Sequence, residues 1–174
     1  FVVIGAGSNL LVSDEGLDCI VIRHISDSPI IRQENSDLIV SGSTMFDSLA
    51  LYAAEHGLSG INFATGIPGT VAGAIVGNVG AFGKQAGDCL KSVMAITKTG
   101  ERKQLSSEEM EFNYRDSILK RTNDIVVEAT FTLSQGDNID LLNERSMILS
   151  ERWAKHPDLN VLPSAGSFFR NIES

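Results

Sequence analysis

Gly66-Ile67-Pro68-Gly69-Thr70-Val71-Ala72-Gly73-Ala74-Ile75-Val76-Gly77-Asn78-Val79-Gly80-Ala81-Phe82-Gly83 decides how the rest of the chain is read. Pro68 suits the first turn of a helix, and Thr70 can bond backbone groups there. Gly73 and Gly77 are then i, i+4 on the helix that follows. A glycine inside a helix costs roughly 1 kcal/mol relative to alanine. Two of them, followed by Gly80, Ala81 and Gly83, call for a group that must come close to this backbone. That group is either the flat ring or phosphate of a cofactor, drawn to a helix end and its free N–H groups, or a neighbouring helix packed through small residues.

Working outward, the flanking segments alternate between strand and helix signals. Phe1 to Ile4, Leu10 to Val12 and Cys19 to Arg23 read as short strands, the last two separated by a turn at Asp14-Glu15-Gly16. Ile30-Ile31 and Leu38 to Val40 form a predicted hairpin around Glu34 to Asp37. Thr44-Met45-Phe46-Asp47 resembles a capping box with Asp in place of Glu. It precedes a helix with Phe46, Leu49, Ala50 and Ala53 on one face, ending at Gly57. Further strands are expected at 90–97 and 103–105, with a short helical turn capped by Ser106 and Glu109. The strongest strand signal is 125–133, where Ile125, Val127, Ala129, Phe131 and Leu133 alternate with less apolar neighbours. A helix from about Asn138 to Lys155 follows, with Ile139, Leu142, Leu149 and Trp153 on one face and Pro157 closing it. Strands and helices mix without a strict β-α-β rhythm, so the expected fold class is α+β. The expected units are 1–28, the end of a small β-rich subdomain; 29–136, a second subdomain; and 137–174, a linking helix and the start of another domain.

The bulk properties narrow the function classes. The 174 residues are 43% hydrophobic and 21% charged, as in ordinary globular proteins. The net charge of −8 disfavours a nucleic-acid or anionic-membrane partner, while local backbone donors can still hold a phosphate. Cys19, Cys89 and the scattered His24, His56 and His156 have no metal-ligand or redox spacing; no metal is expected, and unpaired cysteines fit a reducing cytoplasm. The stretch 67–82 is broken by glycines and Pro68, so no membrane span is read there. Phe1-Val2-Val3-Ile4 reads as a strand whose preceding partner is missing, and the chain is expected to be a fragment.

Three other segments carry chemistry. Gly5-Ala6-Gly7-Ser8-Asn9, directly after a strand, permits positive φ and close backbone approach; it is a phosphate-wrapping loop or a plain tight turn. It is not the G-x-G-x-x-G dinucleotide fingerprint, because no helix signal follows. Tyr114-Arg115-Asp116-Ser117 offers an arginine able to clamp a carboxylate or phosphate, or simply to pair with Asp116 or a nearby glutamate. Pro163-Ser164-Ala165-Gly166-Ser167-Phe168-Phe169-Arg170-Asn171 presents Ser167 among small residues. It has no G-x-S-x-G elbow, leaving a proton donor or a serine-rich turn.

Together and in this order, the four segments closely resemble the UDP-N-acetylenolpyruvoylglucosamine reductase family. Gly5 to Asn9 matches its glycine-Ser-Asn loop, Gly66 to Gly83 its Gly-Ile-Pro-Gly-Thr-Val segment, Tyr114 to Ser117 its Tyr-Arg-x-Ser motif, and Ser164 to Asn171 its Ser-Ala-Gly-Ser-Phe-Phe-basic-Asn motif. The resemblance implies an FAD-binding domain of the vanillyl-alcohol oxidase type. It implies an enzyme in peptidoglycan precursor synthesis, in which NADPH reduces FAD and the enolpyruvyl double bond of a UDP-sugar is then reduced to give UDP-N-acetylmuramate. By the same resemblance Gly5, Ala6, Gly7, Ser8, Asn9, Gly66, Ile67, Pro68, Gly69, Thr70, Gly73, Asn78, Gly80 and Ala81 contact FAD. Arg115 and Ser167 are catalytic, the first holding the substrate carboxylate and the second donating the proton. Tyr114, Arg115, Lys155, Ser167 and Asn171 bind substrate.

The chain departs from the family pattern at Ile172, where proline is usual, and at Phe82, where tyrosine is common. The stretch between Arg115 and Ser167 is too short for the tyrosine-bearing loop of one subgroup. A third catalytic residue, a glutamate, is expected beyond Ser174, with most of the substrate domain. Two alternatives are another flavin oxidoreductase of the same fold, disfavoured in its covalent-flavin branch by the lack of histidine in the first loop, and a non-catalytic FAD-binding module.

Overall fold

The computed structural model describes residues 1–155, 161–162 and 164–166. Strands β1 (Val2–Ile4) and β2 (Val21–Arg23) pair in parallel, Val2 opposite Val21. The segment between them forms no strand at residues 10–12, against the sequence expectation. The Leu10 N–H closes a turn onto the Gly7 carbonyl at 3.2 Å, and Leu11 lies in the open. A run of apolar residues makes a strand only where a partner edge receives its backbone groups.

The main sheet has five antiparallel strands: β3 (Ile31–Glu34), β4 (Asp37–Ser41), β8 (Leu90–Ile96), β9 (Arg102–Ser106) and β10 (Ile125–Thr132), in the order β3-β4-β10-β8-β9. The predicted hairpin turns at Asn35, whose φ of 57° suits asparagine. Short pairs are made by β5 (Leu58–Ser59) with β11 (Ser134–Gln135), and by β6 (Gly80–Ala81) with β7 (Lys84–Gln85).

The central strand β10 follows the predicted alternation only in part. Ala129, Phe131 and Leu133 are buried as expected, but upstream it is Val126, not Val127, that enters the core. A register shift between Val126 and Glu128 adds a residue and reverses the faces. Gly42 fills this irregularity: its N–H donates to Val127 at 2.9 Å, and a Cβ there would lie 2.4 Å from the Val126 carbonyl oxygen. The Gly42 carbonyl in turn accepts from Ala72, tying the sheet to the glycine-rich segment.

Helix α1 (Phe46–Glu55) buries Phe46, Leu49, Ala50 and Ala53, the predicted face, with Phe46 edge-on to Phe63 at 6.1 Å between ring centres. Burial of each large side chain in this cluster contributes about 1.5–3 kcal/mol. The expected capping box is not formed: Thr44 accepts from the Ile30 N–H, and Asp47 turns elsewhere. Helix α2 (Val71–Val76) starts after Thr70, whose Oγ1 caps the Gly73 N–H at 3.3 Å. Pro68 therefore precedes the helix instead of opening its first turn. Ser106 and Glu109 do bond reciprocally around the short turn Glu108–Met110. Helix α3 is a single turn (Leu119–Thr122).

Helix α4 (Asn138–Lys155) starts where predicted and runs to the last described residue of that stretch, but it buries a different face. Leu141 and Ile148 are buried, whereas Ile139 and Trp153 are 66% and 74% exposed. Its docking is set by polar anchors that a count of apolar positions does not weigh: Arg145 donates to Asp47 of α1, and Glu144 accepts from Asn62 in the turn Asn62–Ala64. Pro157 lies outside the described residues. None of the described helices is long and apolar enough to cross a membrane.

Candidate functional site

The two glycine segments, far apart in sequence, meet. Ser8 Oγ donates to the Pro68 carbonyl at 3.1 Å. A Cβ on Gly5 would lie 2.4 Å from Thr70 Oγ1, and one on Gly69 would lie 3.0 Å from Ser8 Oγ. Ala6, Gly7, Ser8 and Asn9 have backbone N–H groups that find no acceptor among the described residues, and the same holds for Gly69. Gly7, at φ 77°, has open space where a Cβ would stand. Adjacent unpaired N–H groups on a curled backbone form an anion-binding concavity.

Other N–H groups of the second segment are already used. Gly66 donates to Asp47, Ile67 to Ala64, Val71 to Thr44 and Gly73 to Thr70. Gly73 is exposed on α2, and a Cβ there would meet only Thr70 Oγ1 at 3.4 Å, an ordinary contact. No described neighbour packs so tightly on Gly73 that glycine is required. A bare face of α2 thus adjoins the N–H concavity, which fits a nucleotide carrying a pyrophosphate and a flat ring.

At the exit of this segment the structure assembles a second group. Asn78 is buried at φ 40°. Its Oδ1 accepts from the Gly87 N–H at 3.0 Å, and its Nδ2 donates to Gln85 Oε1 and the Asn113 carbonyl. Ser117 donates to the Val76 carbonyl at 2.8 Å. Between them Arg115, at φ 54°, donates from one terminal nitrogen to the Gly80 carbonyl at 2.9 Å and from the other to the Asn78 carbonyl at 3.4 Å. The surface ion pair read as an alternative belongs to Arg121, which bonds Asp116 and Glu111. Arg115 also lies 5.5 Å from the Tyr114 ring centre.

Lys155, at the end of α4, pairs with Glu151 and lines an open cleft of about 190 Å³ with Ala81, Phe82, Glu151 and Arg152. Arg152 sits 5.7 Å over the Phe82 ring, and its buried Nε finds no partner among the described residues. Arg115, Arg152 and Lys155 therefore flank Gly80 to Phe82, a local positive field in an acidic chain. Sequence reading missed Arg152 and Asp47. Arg152 carries no motif, and Asp47 reads in the sequence as part of a cap. Ser167 and Asn171 lie outside the described residues. Among those described, no group of His, Cys, Asp or Glu is placed to hold a metal ion.

This architecture defines a nucleotide-cofactor domain, and residues 1–106 match the family described as FAD binding domain; the chain belongs to that family. It is similar to UDP-N-acetylenolpyruvoylglucosamine reductases: 39% identical to that of Lactobacillus acidophilus over 97% of this chain and 55% of the relative. It is likewise 39% identical to that of Geobacillus thermodenitrificans over 98% of this chain and 55% of the relative. The chain spans about half the length of the curated relatives it matches. Among solved structures, the UDP-N-acetylenolpyruvylglucosamine reductase of Thermus caldophilus superposes with a TM-score of 0.81 at 30% identity, over 98% of this chain and 60% of that one. The 6-hydroxy-D-nicotine oxidase of Arthrobacter nicotinovorans superposes at 0.55 with 20% identity, over 77% of this chain and 31% of that one, a likeness of fold alone. The fold is the α+β FAD-binding fold of the vanillyl-alcohol oxidase type.

Proposed function

We propose that this chain is the flavin-holding part of a reductase that uses NADPH to reduce the enolpyruvyl double bond of UDP-N-acetylglucosamine enolpyruvate, giving UDP-N-acetylmuramate. The observation that carries the reading is the meeting of the Gly5–Asn9 loop with Pro68 and Gly69, leaving unpaired N–H groups around one concavity. FAD, when bound, supplies hydride chemistry that no side chain offers.

The chain's own residues bind, orient and polarise. Ala6 to Asn9 and Gly69 would hold the pyrophosphate, with Gly73 leaving α2 bare beside it. Arg115 spends two of its N–H groups on carbonyls and keeps others for the substrate carboxylate, in the fork geometry suited to it. Lys155 would meet the substrate phosphates, and Arg152 adds charge to the same cleft. Ser167 is assigned the proton delivered to the carbon next to the one that is reduced, and Asn171 a substrate contact. Division of the chain at 28 and 136 and a cytoplasmic location belong to the same reading; both described cysteines are unpaired.

The test is the visible absorption spectrum of the purified full-length protein. A flavin band that bleaches with NADPH and recovers anaerobically with the enolpyruvyl UDP-sugar is the expected result. A flavin that does not cycle would leave an FAD-binding module or another flavin oxidoreductase. No flavin after reconstitution with FAD would refute the reading.

A further inference from the structure

The first two residues of α1 hold both ends of the loop 66–69. At one end the Phe46 N–H donates to the Gly69 carbonyl at 2.9 Å. At the other, Asp47 Oδ1 accepts the Gly66 N–H at 2.7 Å. Gly66 has φ 69°, and its turn sets the direction in which Ile67, Pro68 and Gly69 leave. Pro68 and Gly69 are the residues that meet Ser8. Asp47 therefore acts at a distance on the place where the two cofactor loops touch, the Ser8–Pro68 hydrogen bond.

Asp47 is itself braced. Arg145 of α4 donates from both terminal nitrogens, 2.7 Å to Oδ1 and 2.9 Å to Oδ2, in a bidentate pair. The Arg145 side chain is 11% exposed, and it also reaches Thr65 Oγ1 at 3.2 Å, one residue before the turn. The Gly66 turn lies under the same face of α4: a Cβ there would meet Arg152 Cδ at 2.9 Å and Leu149 Cδ2 at 3.2 Å. Asp47 thus receives the brace on one side and passes it to the loop on the other, through one shared oxygen.

We infer that Asp47 is a positioning residue for the cofactor cradle, fixing the Gly66 peptide so that Pro68 and Gly69 stay in register with Ser8. The inference rests on the FAD reading. It also says which feature of Asp47 matters. Asp47→Asn keeps an oxygen at the Oδ1 position for the Gly66 N–H but sets an amide N–H against Arg145. Asp47→Leu removes both acceptors.

The full-length protein is stripped of flavin, and the FAD dissociation constant is measured by flavin fluorescence for wild type and both variants, beside the apoprotein Tm. Both variants are expected to lower Tm by losing the bidentate pair. Only Asp47→Leu is expected to weaken FAD binding by about tenfold or more, with Asp47→Asn within about threefold of wild type. Equal FAD affinity in all three proteins, or equal loss in both variants, overturns the inference and leaves Asp47 a helix-to-helix tie. Should Asp47→Leu not fold, Asp47→Ala is read by the same criterion. A wild-type protein that does not bind FAD overturns the FAD reading itself, and this inference with it.

Discussion

The Ser8 hydroxyl donates to the Pro68 carbonyl at 3.1 Å, and the two residues come from two glycine segments that lie far apart in the sequence. The unpaired N–H groups are those of Ala6 to Asn9 in the first and of Gly69 in the second. The first is a turn after a half-buried strand, and most N–H groups of the second are consumed by its own neighbours. Their contact brings Gly69 of the second segment beside Ser8 of the first.

Gly69 tests that contact. At φ 122° it occupies backbone space that residues with a side chain rarely adopt, and its Cβ would stand 3.0 Å from Ser8 Oγ. Gly69→Ala is expected to cost about 1–3 kcal/mol of stability in urea unfolding. It should also weaken FAD binding, because Ser8 must shift. Combining it with Ser8→Gly should recover little of either, since the φ strain remains and the Ser8–Pro68 hydrogen bond is lost. Stability unchanged within about 0.5 kcal/mol would show that the loop relaxes freely, and the register argument would fail.

Asn78 is expected to be the most sensitive polar position in the domain. Its side chain satisfies the Gly87 N–H, Gln85 and the Asn113 carbonyl, and its own carbonyl receives Arg115. Asn78→Ala leaves buried groups unpaired at about 1–3 kcal/mol each, so a loss of about 2–4 kcal/mol is expected. The substrate KM of the full-length enzyme should rise as Arg115 loosens. A loss below about 1 kcal/mol would mean that water replaces the amide.

The sequence made the main elements legible where local chemistry decides them. The start of α4, the hairpin at Asn35 and the Ser106–Glu109 turn follow from nearby residues. The misses share a cause: a distant group took over. Thr44 and Asp47 look like a cap, but Ile30, Gly66 and Arg145 claim them. Ile139 and Trp153 look like a buried face, but α4 docks through Arg145 and Glu144. Val127 looks inward until Gly42 and the bulge turn the strand. At the candidate site, Gly5–Asn9, Gly66–Gly83 and Arg115 stand out in the sequence as separate segments. Their meeting does not, nor does the cationic cleft at Arg152.

Asp47 also makes a pH prediction. Burial raises its carboxyl, but hydrogen bonds from Arg145 and the Gly66 N–H outweigh it and hold the pKa below the ordinary 3.8. A carboxyl depressed in the folded state adds stability that is fully present above its unfolded pKa and lost as pH falls through the folded one. The stability deficit of Asp47→Asn in urea should therefore be constant from about pH 7 to pH 5 and shrink only below the ordinary carboxylate range. A deficit that already shrinks between pH 7 and pH 5 would show that burial wins.

Arg115 carries the last prediction. Its backbone is left-handed at φ 54°, and its guanidinium bridges the carbonyls of Asn78 and Gly80. A lysine ammonium cannot span both and still offer a planar fork to a carboxylate. Arg115→Lys is therefore expected to behave nearly as Arg115→Ala in the full-length enzyme. Both should lower kcat/KM for the enolpyruvyl UDP-sugar by about 10- to 100-fold, the worth of a charge-assisted hydrogen bond. Reduction of the bound flavin by NADPH should be affected little, because under the proposed function Arg115 serves the other half of the cycle, holding the substrate carboxylate. Stopped-flow measurement of the two halves separates them. Unchanged kcat/KM in Arg115→Lys would mean that one donor to Gly80 suffices, and the arginine would then be a strut between its own loop and β6.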